Sequence, residues 1–299
     1  MSVIQSSLFT LLDASKIDVS KSINVASVPQ RSLFRYPGGK TWLVPYIRSW
    51  MMTLQSRTTS FIELFAGGGI VSLTVAAEGL AEQVILVELD DDVAAVWLTS
   101  LNDQRDWLAQ QIIEFEMTPE NVDKVLSHHP TSIHEQAFQT ILRNRVNHGG
   151  ILAMGAGRIK YGENGKGLRS RWYPLTLKRR IFDISNLTNL TFIHGDAFTV
   201  LSQYQTHPNA VFFIDPPYTA STKKAGTRLY RHAQIDHERL FEQAAKITGD
   251  FLMTYDNDDV VRLLAKRYGF DCEAIAMKNT HHAQMNELLI SKNLEWLRQ

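Results

Sequence analysis

Residues 60–80, "SFIELFAGGGIVSLTVAAEGL", pass from an apolar run through three glycines into a helix-period pattern. A short apolar run closed by glycine reads as a buried strand, and the apolar spacing behind Gly69 as an amphipathic helix. Residues 83–101, "QVILVELDDDVAAVWLTSL", repeat the sequence strand then helix. Two successive strand–helix units imply a parallel α/β sheet with right-handed crossovers. Strand-like runs return in "LTFIHGD" (190–196), "AVFFIDPPY" (210–218), "GDFLMTYD" (249–256) and "ELLISKN" (287–293), with helical stretches such as "IDHERLFEQAAKI" (235–247) between them. Between about 103 and 190 the pattern is helical and then rich in glycine and arginine, "NRVNHGGILAMGAGRIKYGENGKGLRSRWYPLTLKRR" (144–180), which reads as an insertion. The organisation expected is an extension over 1–30, one α/β domain from 31–102 and 190–299, and the insertion over 103–189.

Composition bounds the class. The chain has 299 residues, 44% hydrophobic and 21% charged, with 31 basic against 31 acidic side chains. That balance suits an ordinary soluble protein, and any nucleic-acid surface must come from local clustering. One cysteine, Cys272, allows neither an internal disulfide nor a CxxC metal knuckle. His128-His129 and His281-His282 lack further ligands at suitable spacing, so no metal is expected. No apolar run reaches the roughly 20 residues of a membrane span, and a cytoplasmic location is the expectation.

Gly67, Gly68 and Gly69 stand where a strand turns into a helix, a place where backbone N–H groups are open to a ligand. A dinucleotide fingerprint would need a third glycine at 72, which is Ser72. The site therefore reads as a small-molecule cleft, with Glu88 at the end of the next strand placed to accept from a ribose diol; an adenosyl group fits. Glu88 equally reads as a solvated strand-end acid beside Asp90, Asp91 and Asp92.

In "VFFIDPPYTA" (211–220) a carboxylate is fixed between a strand end and a rigid Pro-Pro step, with a tyrosine behind it. For a planar amino group on a heteroaromatic ring, Asp215 can accept one N–H, the Pro216 carbonyl the other, and Tyr218 can stack on the ring. Acceptors placed for a pyramidal nitrogen favour attack by an otherwise poor nucleophile. Pro216 and Pro217 fix φ and remove competing donors.

Taken in order, "FRYPGGKTWL" (34–43), "FIELFAGGGIVSL" (61–73), "VEL" with Glu88, "HGDAF" (194–198), "FFIDPPYTAS" (212–221) and "NELLISKN" (286–293) resemble the Dam-like, α-type N6-adenine DNA methyltransferases. The resemblance implies a Rossmann-like AdoMet-dependent methyltransferase sheet with an inserted, mainly helical target-recognition domain. It implies transfer of the methyl group of S-adenosyl-L-methionine to N6 of a flipped-out adenine in double-stranded DNA. Tyr36, Lys40, Phe65, Ala66, Gly67, Glu88, Asp196 and Asp215 would line the cofactor site, and Asp215, Pro216, Pro217 and Tyr218 would be catalytic. Lys40, a cation at a helix start, suits an anionic ligand such as the methionine carboxylate better than a surface position. A cognate restriction endonuclease acting independently would be a partner. Glu88 stands where the family more often has Asp, and "SRWYPLTLK" replaces its usual Phe-Asn-x-Pro-x-Gly ending.

From 143 to 180 the insertion holds Arg143, Arg145, Arg158, Lys160, Lys166, Arg169, Arg171, Lys178, Arg179 and Arg180 against one acid, Glu163. With Asn144 such a cluster suits DNA, the triplet 178–180 on phosphates and loop-borne Arg145, Arg158 and Arg171 on base edges. Trp172 and Tyr173 are either core or stacking residues. Two other functions remain open: the same fold acting on cytosine N4 or on adenine in RNA, and a DNA-binding module with a degenerate cofactor site.

Overall fold

The computed structural model describes residues 25, 28–35, 39–54, 58–153, 155–162, 165–217, 235–278 and 284–298. Almost all of the expected extension, 1–24 and 26–27, lies outside them. Seven strands form one sheet in the order β3-β2-β1-β4-β5-β7-β6. They are β1 (Ser60–Glu63), β2 (Gln83–Glu88), β3 (Leu190–His194), β4 (Ala210–Ile214), β5 (Asp250–Asp256), β6 (Asp271–Lys278) and β7 (Gln284–Ser291). β3, β2, β1, β4 and β5 pair in parallel, β7 runs antiparallel to β5, and β6 antiparallel to β7. The chain walks outward from β1 to β3 and then returns to lay β4 on the other flank of β1. At such a reversal the connections leave in opposite directions and a crevice opens at the carboxyl ends of the two strands.

The strands are apolar on both faces because both are covered. Phe61 of β1, Val84 and Leu86 of β2, and Val211 and Phe213 of β4 enter one core, while Ile62, Ile85, Val87, Phe212 and Ile214 enter the other. The first core is covered by α1 (Val44–Thr53), α2 (Ile70–Ala77), α3 (Asp91–Ser100), α4 (Arg105–Glu114), α5 (Pro119–Ser127), α6 (Ile133–Val146) and α7 (Pro174–Ser185). The second is covered by α8 (Ala197–Tyr204), α9 (His237–Ala244) and α10 (Asp259–Arg267). The elements of 103–189 are helical, but Leu108, Ile112, Val122, Ile141, Leu142, Leu177 and Ile181 share their core with Trp97 and the sheet. In packing, the inserted stretch is continuous with the α/β layer.

Parallel pairing holds for five strands and fails at the far edge. β6 carries no strand-like pattern in the sequence: "DCEAIAMK" is mostly residues of low strand propensity, and its pairing with β7 supplies the order that its side chains do not. An edge strand rich in charge is also poorly suited to pairing with a further chain.

The glycine turn is fixed by packing from below. Gly69, at the N-cap of α2, has φ 60°, and a Cβ there would lie 2.7 Å from Leu86 Cδ2 and 2.8 Å from Trp97 Cζ2. Gly79, with φ 63°, has open space at the same position. Gly79→Ala therefore costs only the left-handed backbone, about 1–2 kcal/mol. Gly69→Ala adds overpacking of similar size, for roughly 2–5 kcal/mol in all. Urea unfolding of both variants checks this, and equal losses would show that the floor beneath Gly69 yields freely.

Candidate active site

Four loops at the carboxyl edge of the sheet meet at the crevice. In the loop after β1, Ala66 N–H donates to the Val87 carbonyl (2.9 Å), Gly69 N–H to the Ala66 carbonyl (2.6 Å), and Trp97 Nε1 to the Gly67 carbonyl (3.0 Å). Gly67 has φ 46°, a left-handed value that its missing side chain makes inexpensive. Ala66 is buried and Phe65 half-buried against the second core. The turn is a fixed cradle whose walls are β2 and α3.

Glu88 ends β2 beside that cradle. Its Oε1 accepts from Leu89 and Asp90 N–H (2.8 and 2.9 Å) and its Oε2 from Gly67 N–H (2.8 Å). Desolvation pushes its pKa up, while the bonds from Asp90 and Gly67 oppose the shift. A carboxylate has about four acceptor positions. Three are used, so Glu88 keeps room for one further donor, on the oxygen that faces the glycine turn. Asp196 follows β3 and caps α8, its Oδ1 accepting from Thr199 N–H (3.0 Å) and Thr199 Oγ1 (3.1 Å). It is exposed, and Gly195 N–H bonds the Glu88 carbonyl (3.0 Å), which holds the β2 and β3 loops together.

Asp215 leaves β4 in the same crevice. Its Oδ1 lies 3.1 Å from Lys40 Nζ and accepts from Thr254 Oγ1 at 2.8 Å. Among the described residues no bond is made to Oδ2. Pro216 is buried and Pro217 half-buried, and Pro216 has no donor to compete. Lys40 opens a 3₁₀ turn, Lys40–Leu43, and is only 4% exposed. Its second partner is Glu287 of β7, at 2.8 Å. The sequence reading gave Lys40 an anionic ligand; the structure supplies the anions from the protein, two carboxylates on one ammonium. Tyr36 and Tyr218 lie outside the described residues, as do His281 and His282.

The basic residues of 143–180 divide. Asn144 and Arg145, expected to contact DNA, are placed inside the molecule. Asn144 Oδ1 accepts from Arg35 N–H (2.9 Å), and its Nδ2 donates to the Arg35 and Gly150 carbonyls (3.0 and 2.7 Å). Arg145 is 4% exposed, lies in the last turn of α6 rather than on a loop, and donates to the Leu33 carbonyl. Burial, then the charges of Arg180 and Arg35, bring its pKa down to about 9. Arg180 Nη1 donates to the Ser32 carbonyl (2.7 Å). Arg143 pairs with Asp92 (3.1 Å). Arg158, Arg169, Lys178 and Arg179 are exposed, Arg158 paired with Asp123. Arg171 is half-buried, its Nη1 donating to the Asn147 carbonyl (3.4 Å). Trp172 is core, edge-on to Phe115 at 5.7 Å, whereas Tyr173 is 50% exposed, with Tyr161 (82%) and Leu175 (77%) also at the surface.

Two acids escaped the sequence reading, Glu287 and Glu63. Glu63 interrupts the apolar run "FIELF" and Glu287 opens the run in "NELLI", and an acid inside a buried strand needs a partner. Glu63 ends β1 at 4% exposure, and its Oε2 accepts from Ser72 N–H in the first turn of α2 (2.9 Å). Desolvation, with smaller contributions from Asp215 and Glu88, raises its pKa from 4.5 to about 8. Below 4.5 Glu63 is protonated folded or unfolded; between 4.5 and about 8 only the unfolded chain is ionised, so stability falls as pH rises; above that both states are ionised and the slope ends. Wild type should therefore lose on the order of a few kcal/mol more than Glu63→Gln across this window. Urea midpoints measured at a series of pH values test it; parallel curves would mean that Glu63 titrates normally.

Among the described residues no helix is long and apolar enough to cross a membrane, and no cluster of His, Cys, Asp or Glu could hold a metal ion. Comparison with known proteins finds several solved methyltransferases of low similarity. The rRNA methyltransferase aviRa of Streptomyces viridochromogenes is similar over 93% of this chain and 96% of its own, at 11% identity and TM-score 0.42. The precorrin-6y C5,15-methyltransferase of Geobacter metallireducens GS-15 is similar over 83% and 86%, at 10% identity and TM-score 0.35. M. jannaschii TYW2, solved in complex with AdoMet, is similar over 83% and 74%, at 10% identity and TM-score 0.31. No curated protein sequence matches the chain. The sequence model of the D12 class N6 adenine-specific DNA methyltransferases matches residues 36–280, from the segment that carries Lys40 past the crevice loops to the end of β6, and the chain belongs to that family, whose methyl donor is AdoMet.

Proposed function

We propose that the protein methylates N6 of adenine in double-stranded DNA, with the target base flipped out of the duplex. The observation that carries the reading is the placement of Asp215 at the end of β4, next to the glycine turn, with one carboxylate oxygen fixed and the other unclaimed among the described residues. Lys40 and Thr254 hold Oδ1, so the Oδ2 lone pairs are the ones offered to an N6–H. The Pro216 carbonyl accepts the second N–H, and Tyr218 stacks on the base. Both acceptors favour a pyramidal nitrogen whose lone pair is free to attack, so they act on the transition state more than on the flat ground state.

AdoMet, when bound, supplies a methyl group on a sulfonium. Phe65, Ala66 and Gly67 form the turn against which its methionine end would lie. Glu88 would accept one ribose hydroxyl with its remaining position, and Asp196 would meet the adenine edge. The fit is supported by the left-handed Gly67 and by the spare acceptor of Glu88 on the side of the turn. Residues 103–189 would serve as the target-recognition region. Within it Lys178, Arg179 and Arg169 suit phosphates, and Arg158 and Arg171 suit base edges. Asn144 and Arg145 act only through the segment that they hold.

Asp215→Ala should reduce methyl transfer by several orders of magnitude and leave AdoMet affinity near wild type, because its carboxylate acts on the target nitrogen. Glu88→Ala should weaken AdoMet by roughly 1.5–3 kcal/mol. Calorimetry with AdoMet and single-turnover transfer to unmethylated genomic DNA read both effects, and mass analysis of the nucleosides separates N6-methyladenine from N4-methylcytosine and from modified RNA. Transfer by Asp215→Ala within about tenfold of wild type would remove the catalytic assignment.

For DNA contact, Lys178→Ala and Arg179→Ala should each lower the salt slope of binding by about one, equally on every sequence. Arg158→Ala or Arg171→Ala should change preference at one position by roughly 1–3 kcal/mol. Uniform losses from all four would leave the insertion as a phosphate grip without a reading function.

A further inference from the structure

Glu287 stands in β7, separated from β4 by β5, and faces Asp256 across the antiparallel register. It is 3% exposed. A carboxylate taken this far from water is tolerated only with a charged partner. That partner is Lys40, at 2.8 Å, whose other carboxylate, Asp215, is at 3.1 Å. One ammonium thus lies between two carboxylates, nearer the one on the strand away from the crevice loops. Among the described residues, two further acids act on this group or on Asp215. Asp256 closes β5, with its pKa raised by burial and acted on by Lys40, Asp215 and Asp258. Glu63 closes β1 and feels Asp215 and Glu88. Tyr255 on β5, buried and bonded to His237 Nδ1 through its hydroxyl (3.0 Å), also feels Asp215.

Consider Asp215 without Glu287. Lys40 would lose its nearer carboxylate, could move closer onto the one on β4, and would neutralise the charge that a substrate amino group needs as acceptor. With Glu287 present, the three groups carry one net negative charge, and the ammonium is anchored on β7 while touching only Oδ1. Resting on the reading of Asp215 as acceptor for the target amino group, we propose that Glu287 is a positioning residue for methyl transfer: it holds Lys40 off Asp215 far enough to orient that carboxylate while leaving its charge available to the substrate. Glu287 does not touch the reacting atoms. It acts through Lys40, across a sequence separation that no local pattern reveals.

Glu287→Gln keeps the shape and removes the charge. The expected result is an AdoMet affinity within about twofold of wild type, a single-turnover rate on saturating unmethylated genomic DNA lower by roughly 10–100-fold, and an acid limb of the rate profile displaced to lower pH. The direction follows from removing a negative charge from the neighbourhood of a carboxylate that works ionised. Glu287→Asp keeps the charge on a shorter arm, so its rate falls while its acid limb stays in place. A folded Glu287→Gln protein with the wild-type rate, or with a lowered rate and an unmoved acid limb, overturns the proposal, since a packing role would move only the melting temperature. Should Glu287→Gln fail to fold, Glu287→Asp decides: a fixed limb with a lowered rate supports the proposal, and a displaced limb or an unchanged rate overturns it. Asp215→Asn, run alongside, keeps the two readings apart. If it retains transfer, the role of Asp215 itself fails; if it is inactive while Glu287→Gln behaves as wild type, only the role of Glu287 fails.

Discussion

Lys40 sits in the interior between carboxylates that reach it from β4 and β7. Taking an ammonium out of water costs several kcal/mol even after relaxation, and the cost is recovered only while both partners stay in bonding distance. The 3₁₀ turn, the end of β4 and the beginning of β7 are therefore tied to one another more tightly than their apolar contacts alone would require. The reversed direction of β7 makes this possible. Asp256 at the carboxyl end of β5 faces Glu287 near the amino end of β7, so a strand laid antiparallel brings its beginning to the edge where the parallel strands finish. A parallel strand in the same place would bring its last residues there instead.

The glycine turn is governed by a related economy. Trp97 takes the Gly67 carbonyl, Glu88 takes the Gly67 N–H, and Leu86 with Trp97 leaves no space for a side chain at residue 69. Both backbone groups of Gly67 and the Ala66 N–H are thus claimed by β2 and α3. A loop held in this way has little freedom left to lose when a ligand arrives, which is how binding energy is retained for affinity instead of ordering.

Much of this could be read directly from the residues. The runs around 61–64, 84–88 and 211–214 are mostly apolar and closed by glycines, by an acidic stretch and by Asp-Pro-Pro respectively, so strand, turn and crevice acid follow from local pattern. β6 could not be read this way, because its order comes from the ladder with β7 and not from Asp271, Glu273 or Ala274. Charge was the other obstacle. Arg145 looks like a surface cation among basic neighbours and Lys40 like a cation for a bound anion, yet Leu33 and the pair Asp215 and Glu287 hold them inside through contacts far apart in sequence. Glu63 and Glu287 did leave a trace, as acids standing where a buried strand should be uniformly apolar.

The junction between Asn144 and residues 33–35 has a bearing on modularity. Asn144 bonds both the N–H and the carbonyl of Arg35, and Gly150 passes so close that a Cβ there would come within 1.9 Å of the Arg35 oxygen. Ser32, two residues before Phe34, hydrogen-bonds the Gly68 carbonyl through its hydroxyl. The helical stretch and the glycine turn are thus spliced through a third piece of chain that belongs to neither. Transplanting 103–189 from a relative, as one would exchange a cassette, would sever this splice unless residues 32–35 travelled with it. Chimaeras cut at the obvious boundaries would fold around a mismatched seam, so the seam and the helices form one unit of exchange.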